Sequence, residues 1–283
     1  MDLFRVLLIF ILSVLSSHVQ ARDPELRVLT GDHQAQLSLK KMKSQLKSRT
    51  VRLQDPVYKK EKTYDGFDLT EVLSLAGVDM QASQDELIFT SLDGYSPNTS
   101  FQSLQKYGPV LVYREHGKKN FQFEKLQQGK ALLTPAPFYI VWTGASALEA
   151  VPWPYQLVQV EVVNFKSKFA KIFPQDVPVE SDIARGFSVF KNECLRCHSL
   201  NLQGGELGPE LNIPKNVTEY WAPDHLKSFI RNTGDYRLRD KMPSFAHLKS
   251  AEIDAVIAYL NYMKSTRLIL RLFPIEAQFA YRN

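Results

Sequence analysis

Gly186 to His198 reads GFSVFKNECLRCH, and its last five residues, Cys194-Leu195-Arg196-Cys197-His198, decide how the second half of this chain is built. Two thiols three positions apart at the end of a helical run can each join a haem vinyl group as a thioether. The next residue, His198, then lies beneath the ring and offers the iron an imidazole, which suits ferric and ferrous iron alike. The pattern implies one covalently attached haem c, held by Cys194 and Cys197. Two other uses of paired cysteines fit less of it. A redox dithiol needs no following histidine and favours an early position after a strand. A zinc site would find only three obvious ligands here. The chain has 2 cysteines, so both are consumed by this motif.

Outward from the motif the chain is helical. Ser181 or Asp182 can cap IARGFSVFKNEC, and PDHLKSFIRNT has Pro223 near its first turn. Ser250 can cap AEIDAVIAYLNYMK, where Ile253, Val256, Ile257 and Leu260 recur at helical spacing. A second iron ligand has to come from the opposite face. Met242, in Asp240-Lys241-Met242-Pro243-Ser244-Phe245, lies between the last two helices, where a following proline can hold the thioether rigidly. Its rivals are His225, which reads as a helix-surface histidine, and His247, which reads as a loop histidine. Met42 and Met80 belong to the earlier region, and Met263 ends the last helix.

Residues 181–264 resemble a class I cytochrome c domain. GFSVFKNECLRCHSLN is similar to that family's first helix and haem motif, KMPSF to its methionine loop, and AEIDAVIAYL to its closing helix. The resemblance implies an all-α domain in which the Pro209 carbonyl, in Gly208-Pro209, accepts the proton on the second ring nitrogen of His198. It also implies that Gly186 lets the first and last helices cross closely, with Phe190 and Tyr259 filling the crossing. Closed ligation of iron by His198 and Met242 then leaves outer-sphere transfer of single electrons to docked partners. The charges of residues 181–264 nearly balance and give the partner no sign.

A different pattern precedes the helices. GFDLTEVLSLAGV spaces Leu69, Val72, Leu73 and Leu75 as a helix closed by Gly77, with Asp68 or Thr70 as its cap. ELIFTSLD, GPVLVYRE, PFYIVWTG and YQLVQVEVVNFK read as strands, punctuated at Asp93-Gly94, Gly108-Pro109, Pro135, Pro137 and Pro152-Trp153-Pro154. The expectation is two domains: a mostly β, α+β domain over 22–172, a linker at FPQDVPVE (173–180), and the all-α domain over 181–264. A tail, 265–283, is expected to pack back on the first domain. Residues 22–62 read as a polar lead-in with one strand at TVRLQDPVY. Between Lys40 and Lys62 nine Lys/Arg stand against Asp55 and Glu61, so a docking patch for an anionic partner is the alternative. His33 and His116 read as surface residues. Trp142 and Trp153 read as core or domain-interface residues rather than an electron relay.

TYDGFDLTEVLSLAGV followed by ELIFTSLDGYSP resembles the pterin-binding domain of the sulfite oxidase superfamily, through Tyr64, Gly66, Leu69, Leu73, Gly77, Asp93, Gly94 and Tyr95. That family fixes molybdenum through a cysteine thiolate. Both cysteines here belong to the haem motif, so the resemblance implies a fold and no molybdenum. The domain is then a docking module or the holder of another ligand. As residues alone, Asp93-Gly94-Tyr95 reads as an ordinary turn with a packing tyrosine.

Composition sets the outer limits. A chain of 283 residues, 44% hydrophobic and 23% charged, is not wholly disordered, collagenous or a multi-spanning membrane protein. Its formal charge of +5 is mildly basic and does not indicate nucleic acid. Asp2 and Arg5 precede an apolar run, VLLIFILSVL, too short for an ordinary membrane span. Val19 and Ala21 occupy the small positions before a cleavage point, so residues 1–21 read as a signal peptide cut after Ala21, with an uncleaved anchor as the alternative. The leading expectation is a periplasmic monohaem c-type cytochrome passing single electrons between donor and acceptor proteins, such as a respiratory dehydrogenase or oxidase. Membrane contact would be transient or through partners. One alternative is a haem subunit or fusion oxidoreductase whose first domain binds a substrate or partner enzyme. Another is a haem-based sensor or interaction protein.

Overall fold

The computed structural model describes residues 23–81, 86–128, 131–144, 146–148, 150–237 and 240–267. The expected signal segment and the tail beyond 267 lie outside these. A β-rich region with some helices comes first, and a mostly α-helical region follows. No helix among the described residues is long and apolar enough to cross a membrane.

The first region runs β1 (Glu25–Thr30), β2 (His33–Ser38), α1 (Leu39–Gln45), β3 (Arg49–Asp55), β4 (Lys60–Asp68), α2 (Leu69–Leu75), β5 (Glu86–Ser91) and β6 (Asn98–Ser100). It continues through α3 (Gln102–Tyr107), β7 (Pro109–Glu115), β8 (Leu126–Gln128), β9 (Ala131–Leu133), β10 (Phe138–Trp142) and β11 (Tyr155–Val163). The described residues build a nine-stranded sheet in the order β2-β1-β11-β10-β7-β4-β3, with β5 joining it on β11 and β6 on β5. β11 is the hub. It pairs antiparallel with β10 and β5 and parallel with β1, where Val28 faces Val160. β10 carries five consecutive buried residues, Phe138 to Trp142, as a strand covered on both faces must. Trp142 and Trp153 both lie in this core.

Residues 22–62 are therefore not a lead-in. Leu26, Val28, Leu37, Leu39 and Met42 are all buried in the core. Part of the basic stretch is paired with carboxylates. Arg49 pairs with Asp68, Arg52 with Glu61, and Lys60 and Lys62 with Glu124. Asp55, 1% exposed, accepts from the hydroxyls of Tyr64 at 2.7 Å and Tyr139 at 3.0 Å. Burial, then the Asp55 charge, pushes both phenols far above the usual tyrosine range. His33 is exposed. His116 is also largely exposed but binds Asp65 at 2.9 Å.

Local signals explain α2 in part. Gly77, at φ +85°, closes it: the Val78 N–H returns to Leu73 O and the Gly77 N–H to Ser74 O. Asp68 stands at the cap position but makes no capping hydrogen bond, because its carboxylate is drawn to Arg49 at 2.6 Å. Gly66 marks a register shift against β7, where a Cβ would fall 2.5 Å from the Leu111 carbonyl oxygen.

The second region follows α4 (Phe165–Lys168). It comprises α5 (Asp182–Val189), a π-helical turn (Phe190–Cys194), the short pair β12 (Ser199–Leu200) and β13 (Gln203–Gly204), α6 (Pro223–Arg231) and α7 (Ser250–Tyr262). Ser181 caps α5, its hydroxyl accepting from Ala184 N at 3.2 Å. Ser250 is not the cap of α7. Lys249 holds that position, and its N–H donates to Glu252 at 2.7 Å, because a glutamate at the third helical position can reach back. At Gly186 a Cβ would collide with the Ala255 carbonyl and lie 2.8 Å from Tyr259 Cβ, so α5 and α7 cross backbone to backbone. Phe190 and Tyr259, both fully buried, pack there with ring centroids 5.4 Å apart.

The two regions share apolar packing. Ile88, Val163, Phe165, Phe169 and Ile172 join the same buried cluster as Phe190 and Tyr259. The Phe173 and Phe187 rings are 4.7 Å apart, and the Tyr259 hydroxyl donates to Ile172 O at 2.6 Å. Each such ring removed from water is worth about 1.5–3 kcal/mol, so residues 165–173 bind the helices far more firmly than a bare tether. Arg267 bonds Pro214 O and pairs with Glu219. These first residues of the expected tail, up to Arg267, lie on the helical region, and the rest of it lies outside the described residues.

Candidate functional site

The π turn sets up the site. Its extra residue lets the Leu195 N–H reach Phe190 O at 2.9 Å and delivers Cys194 to the turn's end. The Cys197 and His198 N–H groups both return to Cys194 O, at 3.0 and 2.9 Å. Two thiols and an imidazole are thereby held by a single turn. Both thiols are free and partly buried. Burial pushes Cys194 up to about 12 and Cys197 up to about 11. Neither is the activated thiolate of a redox dithiol.

The imidazole is oriented by its far nitrogen. His198 Nδ1–H donates to the Pro209 carbonyl at 2.8 Å, which leaves Nε2 as the lone-pair nitrogen. Burial lowers the pKa of His198, against the opposing pull of the Pro209 bond and of Asp240 and Glu210. The loop sits so close that a Cβ on Gly208 would lie 2.6 Å from His198 Cε1.

Cys194, Cys197, His198 and Met242 all line one cavity of about 580 Å³, walled by Phe190, Leu211, Val217, Leu226, Ile230 and Leu260. That volume is typical of a cofactor pocket. An apolar slot with two thiols, an imidazole with a free lone pair and a thioether is the donor set of a haem c site, so the residues fit that group. The Met242 loop is fixed from both sides. The Thr233 hydroxyl donates to Met242 O at 2.8 Å, and the Ser244 hydroxyl donates to Arg231 O at 2.6 Å. His225 and His247 are not among the lining residues. His225 is exposed and lies tilted against Trp221 and edge-on to Tyr236, and His247 is exposed beside Phe245. Among the described residues no group of three or more His, Cys, Asp or Glu side chains is arranged to hold a metal ion.

A supporting element is absent from the sequence reading. Asn201, Asn212 and Asn216 are fully buried and form a ladder, Asn216 donating to Asn212 and Asn212 to Asn201, each at 2.8 Å. Asn201 donates to Lys171 O and Thr266 O, Asn212 to Met263 O and Asn216 to Leu260 O. The last three are carbonyls of the final turn of α7 and of the short turn after it (Met263–Thr266), where helix geometry leaves carbonyls short of partners. Glu210 ties the same loop, accepting from the N–H groups of Asn201, Leu202 and Asn212. The loop carrying Pro209 is thus bolted to the last helix. Asparagine in a loop ordinarily signals a turn, so no sequence signal marks this role.

A family profile described as "Cytochrome C oxidase, cbb3-type, subunit III" matches residues 181–260. The cytochrome c of Theileria annulata is 33% identical over 115 residues, covering 34% of this chain and 98% of that protein. The cytochrome c of Theileria parva is 32% identical over 115 residues, with the same coverage of 34% and 98%. The family match lies wholly within the helical region and leaves the β-rich region unassigned.

Proposed function

The chain belongs to the cytochrome c family through its helical region and is a haem-binding electron-transfer protein with one covalent haem c site, and on that premise we propose that His198 and Met242 close the iron on both faces. The observation that carries this reading is that both residues line the one cavity that also holds Cys194 and Cys197, while the second nitrogen of His198 is tied to Pro209. Bound there, haem iron supplies a one-electron ferric–ferrous couple. Cys194 and Cys197 would attach the macrocycle. The Pro209 carbonyl makes the imidazole a stronger donor, which favours the ferric form, while the Met242 thioether and the apolar wall favour the ferrous form. The chain acts by carrying electrons.

The match to a cbb3-type oxidase subunit family supports redox partners within a respiratory chain. A signal peptide cut after Ala21 and a periplasmic location complete the reading, with domains at 22–172 and 181–264 joined by 173–180. A relationship of the first domain to the sulfite oxidase pterin-binding fold is part of the proposal. It is supported by the short helix after β4 and the Asp93-Gly94-Tyr95 turn after β5. The test is absorption spectroscopy of holoprotein matured in a periplasm. A near-infrared methionine–iron band when oxidised, and no shift with carbon monoxide when reduced, are expected. Met242→Ala should lose the band and gain the shift. A carbon monoxide shift in the unaltered protein would overturn closed ligation.

A further inference from the structure

We propose that the turn Asp93–Ser96 of the β-rich region is a positioning strap on the haem-attachment loop, so that this region, and not the helical region alone, sets how strongly the site holds its electron. The inference rests on the haem reading above. The Ser96 N–H donates to the carbonyl of Arg196, a residue lying between the two cysteines, at 2.8 Å. The Glu206 N–H donates to Gly94 O at 3.0 Å. Glu206 belongs to the neighbouring loop that backs the motif, where Gly205 N–H bonds Leu195 O at 2.8 Å. The strap therefore spans both layers behind Cys194 and Cys197.

The strap is itself anchored. It follows β5, whose whole length pairs with β11, and the Ser91 N–H returns to Tyr95 O at 2.9 Å across it. At the other end of β5, Glu86 pairs with Lys191 of the π turn, both partly buried. The Lys191 ammonium also sits 3.8 Å from the centre of the Phe165 ring. One strand thus holds the motif on both sides, at Lys191 and at Arg196. The turn has no slack. Gly94 has φ +84°, and a Cβ there would lie 3.0 Å from Glu206 Cβ and 3.1 Å from its carbonyl carbon. Burial raises the pKa of the Tyr95 phenol and the adjoining Arg196 pulls it back, which shows how closely this turn faces the motif. A dry, fixed wall favours the uncharged ferrous state of the site, and loosening it admits water.

The test uses full-length holoprotein, redox titration, and hydrogen exchange at the Ser96 and Glu206 amides. Gly94→Ala presses on Glu206. Gly117→Ala is its control, since Gly117 has φ +80° and open space around it. Glu86→Lys sets like charges against Lys191, and the exchanged pair Glu86→Lys with Lys191→Glu restores attraction without changing the local charge sum. Gly94→Ala and Glu86→Lys should cut the reduced-to-oxidised ratio at fixed ambient potential to about one third, roughly 28 mV at 59 mV per tenfold, with faster exchange at both amides. Gly117→Ala should match wild type, and the exchanged pair should recover much of the loss while lacking the Lys191–Phe165 contact and the Asn98 bond to Glu86. Faster exchange with an unchanged potential would overturn the proposal, as would a potential drop in the exchanged pair equal to that in Glu86→Lys. A wild-type protein lacking a haem c spectrum would instead overturn the haem reading.

Discussion

Replacing Asn212 with alanine removes three buried hydrogen bonds at once. Its amide donates to Asn201 and to Met263 O at 2.8 and 2.9 Å, and its carbonyl accepts from Asn216 at 2.8 Å. A net value of about 0.5–1.5 kcal/mol per bond gives a loss of roughly 1.5–4.5 kcal/mol, with the upper half expected because no water replaces partners in a fully buried ladder. Against a usual total of about 5–15 kcal/mol, that is a large fraction. The loss should show as urea unfolding of the helical region of holoprotein, followed by haem absorbance. With a slope of about 1–3 kcal/mol per molar, a 3 kcal/mol loss moves the midpoint down by about 1–3 M. Asn192→Ala, at an exposed position in the same region, should stay within about 0.5 kcal/mol of wild type. An Asn212→Ala loss under about 1 kcal/mol would refute the ladder as the bolt between the Pro209 loop and α7.

Three further outcomes can be checked alongside. Gly186→Ala drives a methyl group into the Ala255 carbonyl and should destabilise the helical region by about 3 kcal/mol or more, read as thermal unfolding by circular dichroism. Gly208→Ala should push the imidazole of His198 off Pro209, weaken its donation and raise the reduction potential; a potential at or below that of wild type would count against the orientation assigned to the ring. Asp65 supplies a pH dependence. Burial would raise its pKa, but His116, Thr50 and Arg114 together outweigh burial and lower it. A depressed carboxylate stabilises the fold above its unfolded value of about 3.9, and that stability is lost as pH falls through the folded value. Acid unfolding of the β-rich region should therefore begin below about pH 4, and Asp65→Asn should flatten the curve in that window. An unchanged acid limb in the variant would assign the acid transition to other groups.

What the sequence determined by itself is what short-range chemistry determines. The Cys194-Leu195-Arg196-Cys197-His198 spacing specifies covalent haem because the attachment geometry is completed within one turn of chain. Helical periodicity located α7, Pro223 marked the start of α6, Gly77 marked the end of α2, and β5, β7, β10 and β11 were legible as apolar runs between turn residues. Met242 stood out as a methionine between two helices, and the fold then placed it on the same cavity as His198.

Only the tertiary structure decided the rest. β1 looked polar because a short strand shows few buried positions, and its place is set by parallel pairing with β11, whose residues lie at the far end of the region. Asp68 was drawn from capping by Arg49, a residue on another strand. The buried asparagines became a ladder because three separate loop positions converge on the open end of α7. Asp93-Gly94-Tyr95 looked like any turn, and its contact with Arg196 and Glu206 exists because β5 and the packing of residues 165–173 bring two regions face to face. Local motifs specify which group is bound. Which surfaces guard it depends on contacts between residues distant in the chain, and no window of sequence contains both partners of such a contact.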